Sequence, residues 1–297
     1  MTTVINAQLE DFDPPGEFGT PPSSRRLIAT VYGLYAKARG GWLSVATLVR
    51  LLGDLGVDGP TVRTAVSRLK RHELLVSARS GGTAGYRLST SASEALTEGD
   101  ERIFSRRRAR IEEGWLLVAY SVPEAERERR HQLRSVLSRL GLGSVSPGLR
   151  IAPACVESAV TTALERSGLR EYTELFHSRR VGSSPLPDAV ASWWDLDALQ
   201  EKYQNFLAHY DPVRRRWDTD GGSPAQAFVD FVPMVTTWRR LQYLDPGLPL
   251  EVLPAEWTGV RAEEVFADLR ARLMGPARDH AAAAFDGGET NEPGEVR

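Results

Sequence analysis

The sequence predicts an α+β protein in three parts, and three observations lead there. From Ser24 to Thr90, two apolar-faced helices, a glycine turn, a basic helix and a glycine-tipped hairpin follow one another. From Trp115 to Val181, strand and helix patterns run in the order βαββαβ, the sequence signature of a ferredoxin-like domain. From Pro187 onward the pattern is mainly helical. The expected boundaries are a disordered arm over 1–22, a head over 23–90, a helical linker over 91–112, a sheet domain over 113–183, a helical domain over 184–285 and a disordered tail over 286–297.

Each element has its own signal. Met1 to Pro22 holds Pro14-Pro15 and Pro21-Pro22 and few large apolar groups, a composition that cannot build a core. Ser24 is placed to cap a helix to about Ala38, with Leu27, Ile28, Val31, Leu34 and Tyr35 on one face. Gly40-Gly41 ends it, Trp42-Leu43 is extended, and Ser44 caps a second helix that buries Leu48, Leu51, Leu52 and Leu55. After a turn from Gly53, Pro60 suits the first position of a third helix. That helix turns Val62, Ala65, Val66 and Leu69 inward and Thr61, Arg63, Thr64, Ser67, Arg68, Lys70 and Arg71 outward. LLVSA and YRLST are strands around the basic, glycine-rich stretch Arg79 to Gly85. In this order the elements spell a winged helix-turn-helix.

Ser91 to Arg110 reads as a helical linker and a natural hinge. Then come a buried strand over Trp115–Ser121, a charged helix over Glu124–Leu140, strand-like stretches over Gly143–Ile151, a helix over Cys155–Ser167 and a strand over Tyr172–Val181. Helices are expected over Trp193–Tyr210, Pro224–Leu244 and Ala262–Ala284, with Pro246, Pro249 and Pro254 making the last link irregular.

Composition narrows the function classes. No apolar run approaches the roughly 20 residues of a membrane span, and the N-terminus lacks a basic start and an apolar run, so neither membrane nor secretion is expected. The single cysteine, Cys155, excludes an internal disulfide, fits a cytoplasmic setting and reads as a small buried hydrophobe. The five histidines are scattered, without metal-ligand spacing, so no metal and no cofactor is expected. No nucleophile elbow, Walker loop or dinucleotide fingerprint is present, and the chain does not read as an enzyme.

The net charge of −2 hides an asymmetry: Ser24 to Thr90 carries 11 basic residues against 3 acidic, a net of +8, which leaves −10 for the rest. Such a head suits a polyanion. A helix of one apolar and one Arg-, Lys-, Ser- and Thr-rich face fits the major groove of DNA. Thr61, Arg63 and Thr64 sit near its N-terminus, where bases are usually met, and Ser67 lies on the same face. Arg68, Lys70 and Arg71 suit phosphates, and Arg79 and Arg87 on the hairpin suit the adjacent backbone or minor groove.

Three stretches resemble the PaaX family of transcriptional regulators: GWLSVATLVRLLGDLGVDGPTVRTAVSRLKRHELL in the head, GWLLVAYSVPE in the middle and LQYLDPGLPLEVLPAEWTG ahead of the last helix. The resemblance spans roughly Ser24 to Ala284. It implies a winged helix, a central Cas2-like domain of ferredoxin type and a family-specific C-terminal domain. It also implies a homodimer on a partly palindromic double-stranded operator, acting as repressor of a catabolic operon, with release by a small-molecule effector such as phenylacetyl-CoA. Two alternatives remain open. A winged helix can serve as a protein-interaction scaffold, and a Cas2-like domain can be a metal-dependent nuclease. Against the latter, Ser121 stands where a nuclease would place a metal-binding Asp, and serine offers no anionic oxygen to Mg²⁺.

An acyl-CoA effector needs cations for phosphates and an apolar slot. Arg214-Arg215-Arg216-Trp217 and Trp238-Arg239-Arg240 combine the two, and Trp193, Trp194 and Tyr243 suit an aromatic slot. The competing reading makes the tryptophans core anchors and pairs the arginines with the acidic body.

Overall fold

The computed structural model describes residues 22–105, 107–182 and 184–286. The expected arm and tail lie outside the described residues, save for Pro22 and Asp286.

Helix α1 (Ser24–Val31) runs on through a π-helical turn, Tyr32–Ala36, and a 3₁₀ turn, Lys37–Arg39. The capping position is Ser23 rather than Ser24, and its hydroxyl makes no capping bond. The π turn changes the helical period, so Tyr32 joins Leu27, Ile28, Val31 and Tyr35 inside while Leu34 is half-buried. Gly40, at φ 82°, ends the helix in the left-handed region. After β1 (Trp42–Ser44), the Ser44 hydroxyl accepts from the Thr47 N–H at 3.0 Å and caps α2 (Val45–Asp54).

Helix α3 (Gly59–Arg71) starts one residue before Pro60 because Asp58 caps it, accepting from the Thr61 N–H at 2.7 Å. Val62, Ala65, Val66 and Leu69 are buried, as the periodicity requires. Strands β2 (Leu75–Ser80) and β3 (Thr83–Leu88) meet in a two-residue turn with both glycines, Gly81 and Gly82, at positive φ (54° and 81°). The sheet order is β1-β3-β2.

Helix α4 (Thr90–Phe104) stops before the basic run, and residues 107–110 lie outside any helix ahead of a 3₁₀ turn at Ile111–Glu113. The hinge read into this segment is not a loose tether. Ala92, Ala95, Leu96 and Ile103 are buried. Lys37 pairs with Asp100 at 2.9 Å and Arg102 donates to the Gln242 carbonyl at 3.0 Å.

The middle part has β4 (Trp115–Tyr120), α5 (Arg127–Arg139), β5 (Gly143–Ser146), β6 (Leu149–Pro153), α6 (Glu157–Arg166) and β7 (Thr173–Ser178). The sheet order is β5-β6-β4-β7 with every pair antiparallel, the ferredoxin-like arrangement. Leu116 and Val118 face α5 and α6 in a core of their own. On the other face Trp115 meets Trp193 and Trp194 at 5.9 and 6.2 Å and joins the core shared by the head and the C-terminal helices. Cys155 is exposed, not buried: its apolar neighbours sit on a 3₁₀ turn, Ala154–Val156, where only Ala154 is buried and the next side chain points outward.

The C-terminal helices are α7 (Leu186–Trp193), α8 (Leu196–Thr219), α9 (Pro224–Leu244) and α10 (Thr258–Asp286). Trp193 ends a helix rather than starting one, because Asp195 caps α8, accepting from the Ala198 N–H at 2.9 Å. The 3₁₀ turn Leu250–Val252 lies in the proline-rich link. Thr30 on α1 and Thr236 on α9 share a buried hydroxyl contact of 2.8 Å, and Tyr35 packs on Phe228 at 5.6 Å.

Gly85, at the centre of the small sheet, is required by close approach. A Cβ there would lie 2.7 Å from the Trp42 ring and closer still to the Leu43 carbonyl. Gly85→Ala is expected to destabilise the protein by about 1–3 kcal/mol through overpacking. Chemical denaturation checks this, and an unchanged midpoint would mean that the strands separate at little cost.

Candidate nucleic-acid interface and central cavity

All seven polar residues read onto the outer face of α3, namely Thr61, Arg63, Thr64, Ser67, Arg68, Lys70 and Arg71, are exposed. Two of them are oriented by local bonds. The Thr61 hydroxyl donates to Asp58 at 3.0 Å, and the Thr64 hydroxyl donates to the Pro60 carbonyl at 3.0 Å. Both oxygens remain able to accept. The Thr61 N–H and hydroxyl together hold the Asp58 carboxyl below its ordinary pKa. The guanidinium of Arg63 folds back beside Gly59, 3.2 Å from where a Cβ would stand.

The hairpin stands next to this helix. Lys70 lies over the Tyr86 ring at 5.6 Å, and Tyr32 donates to the Tyr86 carbonyl at 3.1 Å. Arg79 and Arg87 are exposed on β2 and β3. Arg25 is a residue the sequence reading missed: with Ser24 it shares a cleft with Pro60, Thr61, Thr64 and Arg68, at the start of α3. Its signal was only its charge, because contact between α1 and α3 has no period in sequence. His72, at the end of α3, is pushed below its ordinary pKa by burial and by the charges on Arg71 and Arg25, which marks the positive potential there.

The six residues read as an effector site do not come together. Trp193 packs on Trp115 and Trp194. Arg214 lies 3.6 Å from Asp211, and Arg215 is exposed. Trp217 donates to Asp230 at 2.8 Å, beside the Arg216–Asp230 pair. Arg239 is half-buried, 3.6 Å from Asp100, and loss of solvent around its guanidinium pushes its pKa down. Trp238 stacks on Phe266 at 4.5 Å and, alone of the six, lines a cavity, of about 220 Å³, between α4, α9 and α10.

That cavity adjoins a buried polar knot. The Asp245 carboxylate, 3% exposed, accepts from the Tyr203 hydroxyl at 2.6 Å and the Gly247 N–H at 2.6 Å, and meets Arg108 at 3.3 Å. Arg108 also donates to Glu263 at 2.7 Å. Burial opposes the charge on Arg108, but the two carboxylates outweigh it and raise its pKa. The Ala109 N–H donates to the Gly247 carbonyl at 2.9 Å, which fixes the chain between head and sheet.

At the end of β4, Ser121 is exposed and its N–H donates to the Tyr172 carbonyl at 3.0 Å. Among the described residues no three His, Cys, Asp or Glu side chains cluster to hold a metal. Among them, too, no helix is long and apolar enough to cross a membrane.

Comparison with known proteins gives three family matches in series. Residues 23–92 match the PaaX-like protein family, 108–190 the PaaX protein central Cas2-like domain and 194–283 the PaaX-like protein C-terminal domain. The chain is 26% identical over 295 residues to the transcriptional repressor PaaX of Escherichia coli (strain K12), covering 96% of this chain and 90% of that protein. Among solved structures, an uncharacterized protein of Mycobacterium tuberculosis shares the fold, with a TM-score of 0.56 and 24% identity over 88% of this chain and 99% of that one.

Removing the carboxylate from the knot leaves Arg108 and Tyr203 short of an acceptor. Asp245→Ala is expected to cost about 3 kcal/mol of stability, the scale for breaking a buried pair from one side. Urea unfolding followed by circular dichroism measures it. A loss under about 1 kcal/mol would assign the anchoring to Glu263 instead.

Proposed function

Because the chain belongs to the PaaX family of transcriptional regulators, we propose that it is a DNA-binding repressor whose residues 23–90 act as a winged helix-turn-helix. One observation carries the reading. Helix α3 presents seven polar residues, four of them cationic, on an open face, while its apolar positions are buried against α1 and α2. A groove-reading helix needs this division. In this reading Thr61, Arg63, Thr64 and Ser67 meet base edges. Arg68, Lys70, Arg71 and Arg25 meet phosphates, and Arg79 and Arg87 on the wing reach the flanking backbone.

The protein acts as a cytoplasmic homodimer on a partly palindromic operator, the Cas2-like domain helping to pair subunits, and it is released by an aromatic acyl-CoA of the phenylacetyl-CoA kind. Release is a population shift: effector and operator favour different placements of the two heads. Since α4 is packed against α9, the heads move together with the helical body or by repacking it, not on a free tether. A nuclease finds little support in the serine at position 121, which supplies no anionic ligand to a hard metal ion.

Titration of the protein against its own upstream DNA at several salt concentrations tests the reading. Affinity should fall steeply with salt, as expected when phosphate contacts release counterions. Arg63→Ala should lose about 1–3 kcal/mol against its preferred base pair and relax preference there, whereas Arg68→Ala should weaken all sequences alike and reduce the salt slope by about 1. Binding indifferent to salt and sequence would hand the head to a protein partner instead.

A further inference from the structure

We infer that the first turn of α3 reads amino bases: Thr61 and Thr64 meet the major groove as hydrogen-bond acceptors only, and so select adenine or cytosine over guanine or thymine on the strand they face. Asp58 is the positioning residue that sets this state at Thr61. The inference rests on the repressor reading, which assigns this helix to DNA.

A threonine hydroxyl has one hydrogen and two lone pairs, so it can give to a base or take from one. Here its partners remove the choice. One Asp58 carboxylate oxygen accepts from the Thr61 N–H at 2.7 Å, and the other accepts from the Thr61 hydroxyl at 3.0 Å. An ionised carboxylate holds no hydrogen, so the hydroxyl is the donor. The same two bonds hold the carboxyl below its ordinary pKa and keep it ionised. Thr64 is fixed likewise, because its hydroxyl lies 3.0 Å from the Pro60 carbonyl, which only accepts. Each hydroxyl has its hydrogen committed within the protein, and both side chains are exposed on the face that carries Arg63 and Arg68.

The groove offers the complement unevenly. Adenine shows an amino group at N6 and cytosine one at N4, whereas guanine shows O6 and N7 and thymine O4 and a methyl group. An oxygen that only accepts pairs with either amino group and is opposed by either keto oxygen. Arg63 is the reverse, with donors alone, and its commonest partner is guanine. The turn therefore sets two acceptors beside a donor, and it suits an amino base next to a guanine. Asparagine would cap the helix as well as aspartate, without a charge that repels phosphates. What the carboxylate adds is a second accepting oxygen, which fixes the direction of the Thr61 hydroxyl.

Asp58→Asn tests this with the cap retained. The oxygen of the introduced amide must accept from the Thr61 N–H. Its NH₂ then donates to the Thr61 oxygen, and the hydroxyl hydrogen turns outward to the groove. Sites would be selected from a randomised duplex pool with the full-length protein, and affinities measured on the selected site with each base pair changed in turn. For wild type, a position beside a preferred guanine should favour adenine and cytosine over guanine and thymine by about five- to tenfold, the scale of one hydrogen bond. Asp58→Asn should abolish or reverse that ratio. Thr61→Val, which keeps the branched shape without the oxygen, should abolish it, and Thr64→Val should do the same at a neighbouring position. Loss of the Asp58 charge raises affinity for all sequences alike, so the ratio between bases is the readout. Circular dichroism should show each variant folded, and should Asp58→Asn unfold, the two valine variants decide. Wild-type base preferences retained in the folded variants overturn the inference and leave the repressor reading standing. Failure of the wild-type protein to enrich any sequence overturns the repressor reading, and the inference with it.

Discussion

The buried contact between Arg108 and Asp245 is the constraint on which the arrangement of the molecule depends. Moving a charge out of water costs several kcal/mol after relaxation, and a buried pair repays this only with further hydrogen bonds. Asp245 has them. Tyr203 of α8, the Gly247 N–H and Arg108 all converge on one carboxylate. Three pieces of chain distant in sequence are thereby tied at one point: α8, the end of α9 with the turn after it, and the segment leaving the head. The sequence Asp245-Pro246-Gly247 is a turn, as its residue types suggest, but the turn exists in order to present that carboxylate inward.

The same economy governs the head's positive charge. Some of its cations dock the head rather than face outward. Lys37 meets Asp100, Arg39 lies over Phe285 at 4.8 Å, and Arg50 donates to the Ala283 carbonyl at 2.9 Å. His280 meets Asp54 at 2.8 Å on the same side. The cations of α3 and the hairpin stay exposed. A net of +8 is therefore divided between a docking side and an open side, and the open side is where a polyanion would be met. Exposed pairs like these add little to stability, typically under about 1 kcal/mol each, so they orient the head more than they hold it. The holding is apolar: Tyr35 on Phe228 and the core continuous with α9 and α10.

Local rules explain what was legible in the sequence. The inward set Val62, Ala65, Val66 and Leu69 is a helical period, and the outward cations follow once that period is known. The βαββαβ order was equally plain because each element alternates or repeats within a few residues. Tyr32 was missed because a π turn breaks the period in the middle of a helix. Cys155 was misread because apolar neighbours say nothing about a tight turn. Asp211, the neighbour of Arg214, lies three residues back on the same helix and was within reach of sequence spacing, whereas Arg216 and Trp217 looked available because their partner, Asp230, is brought to them by the packing of α8 against α9. The cavity was invisible for the same reason. Phe104, Arg108, Trp238 and Phe266 come from three segments far apart in the chain, and no spacing announces them.

The energetic scale of the knot bears on how a small ligand can govern a large surface. A ligand shifts an equilibrium only by its differential affinity for the two states. Coupling between sites is typically about 1–3 kcal/mol, while a full switch from 1:99 to 99:1 needs about 5.5 kcal/mol. Leaving a buried polar donor without an acceptor costs about 1–3 kcal/mol, and Arg108 has two such donors in the placement seen here. Any shift of the stretch that carries Arg108 must therefore outweigh what Asp245 and Glu263 hold there, so the knot sets the scale of coupling that movement between head and body requires.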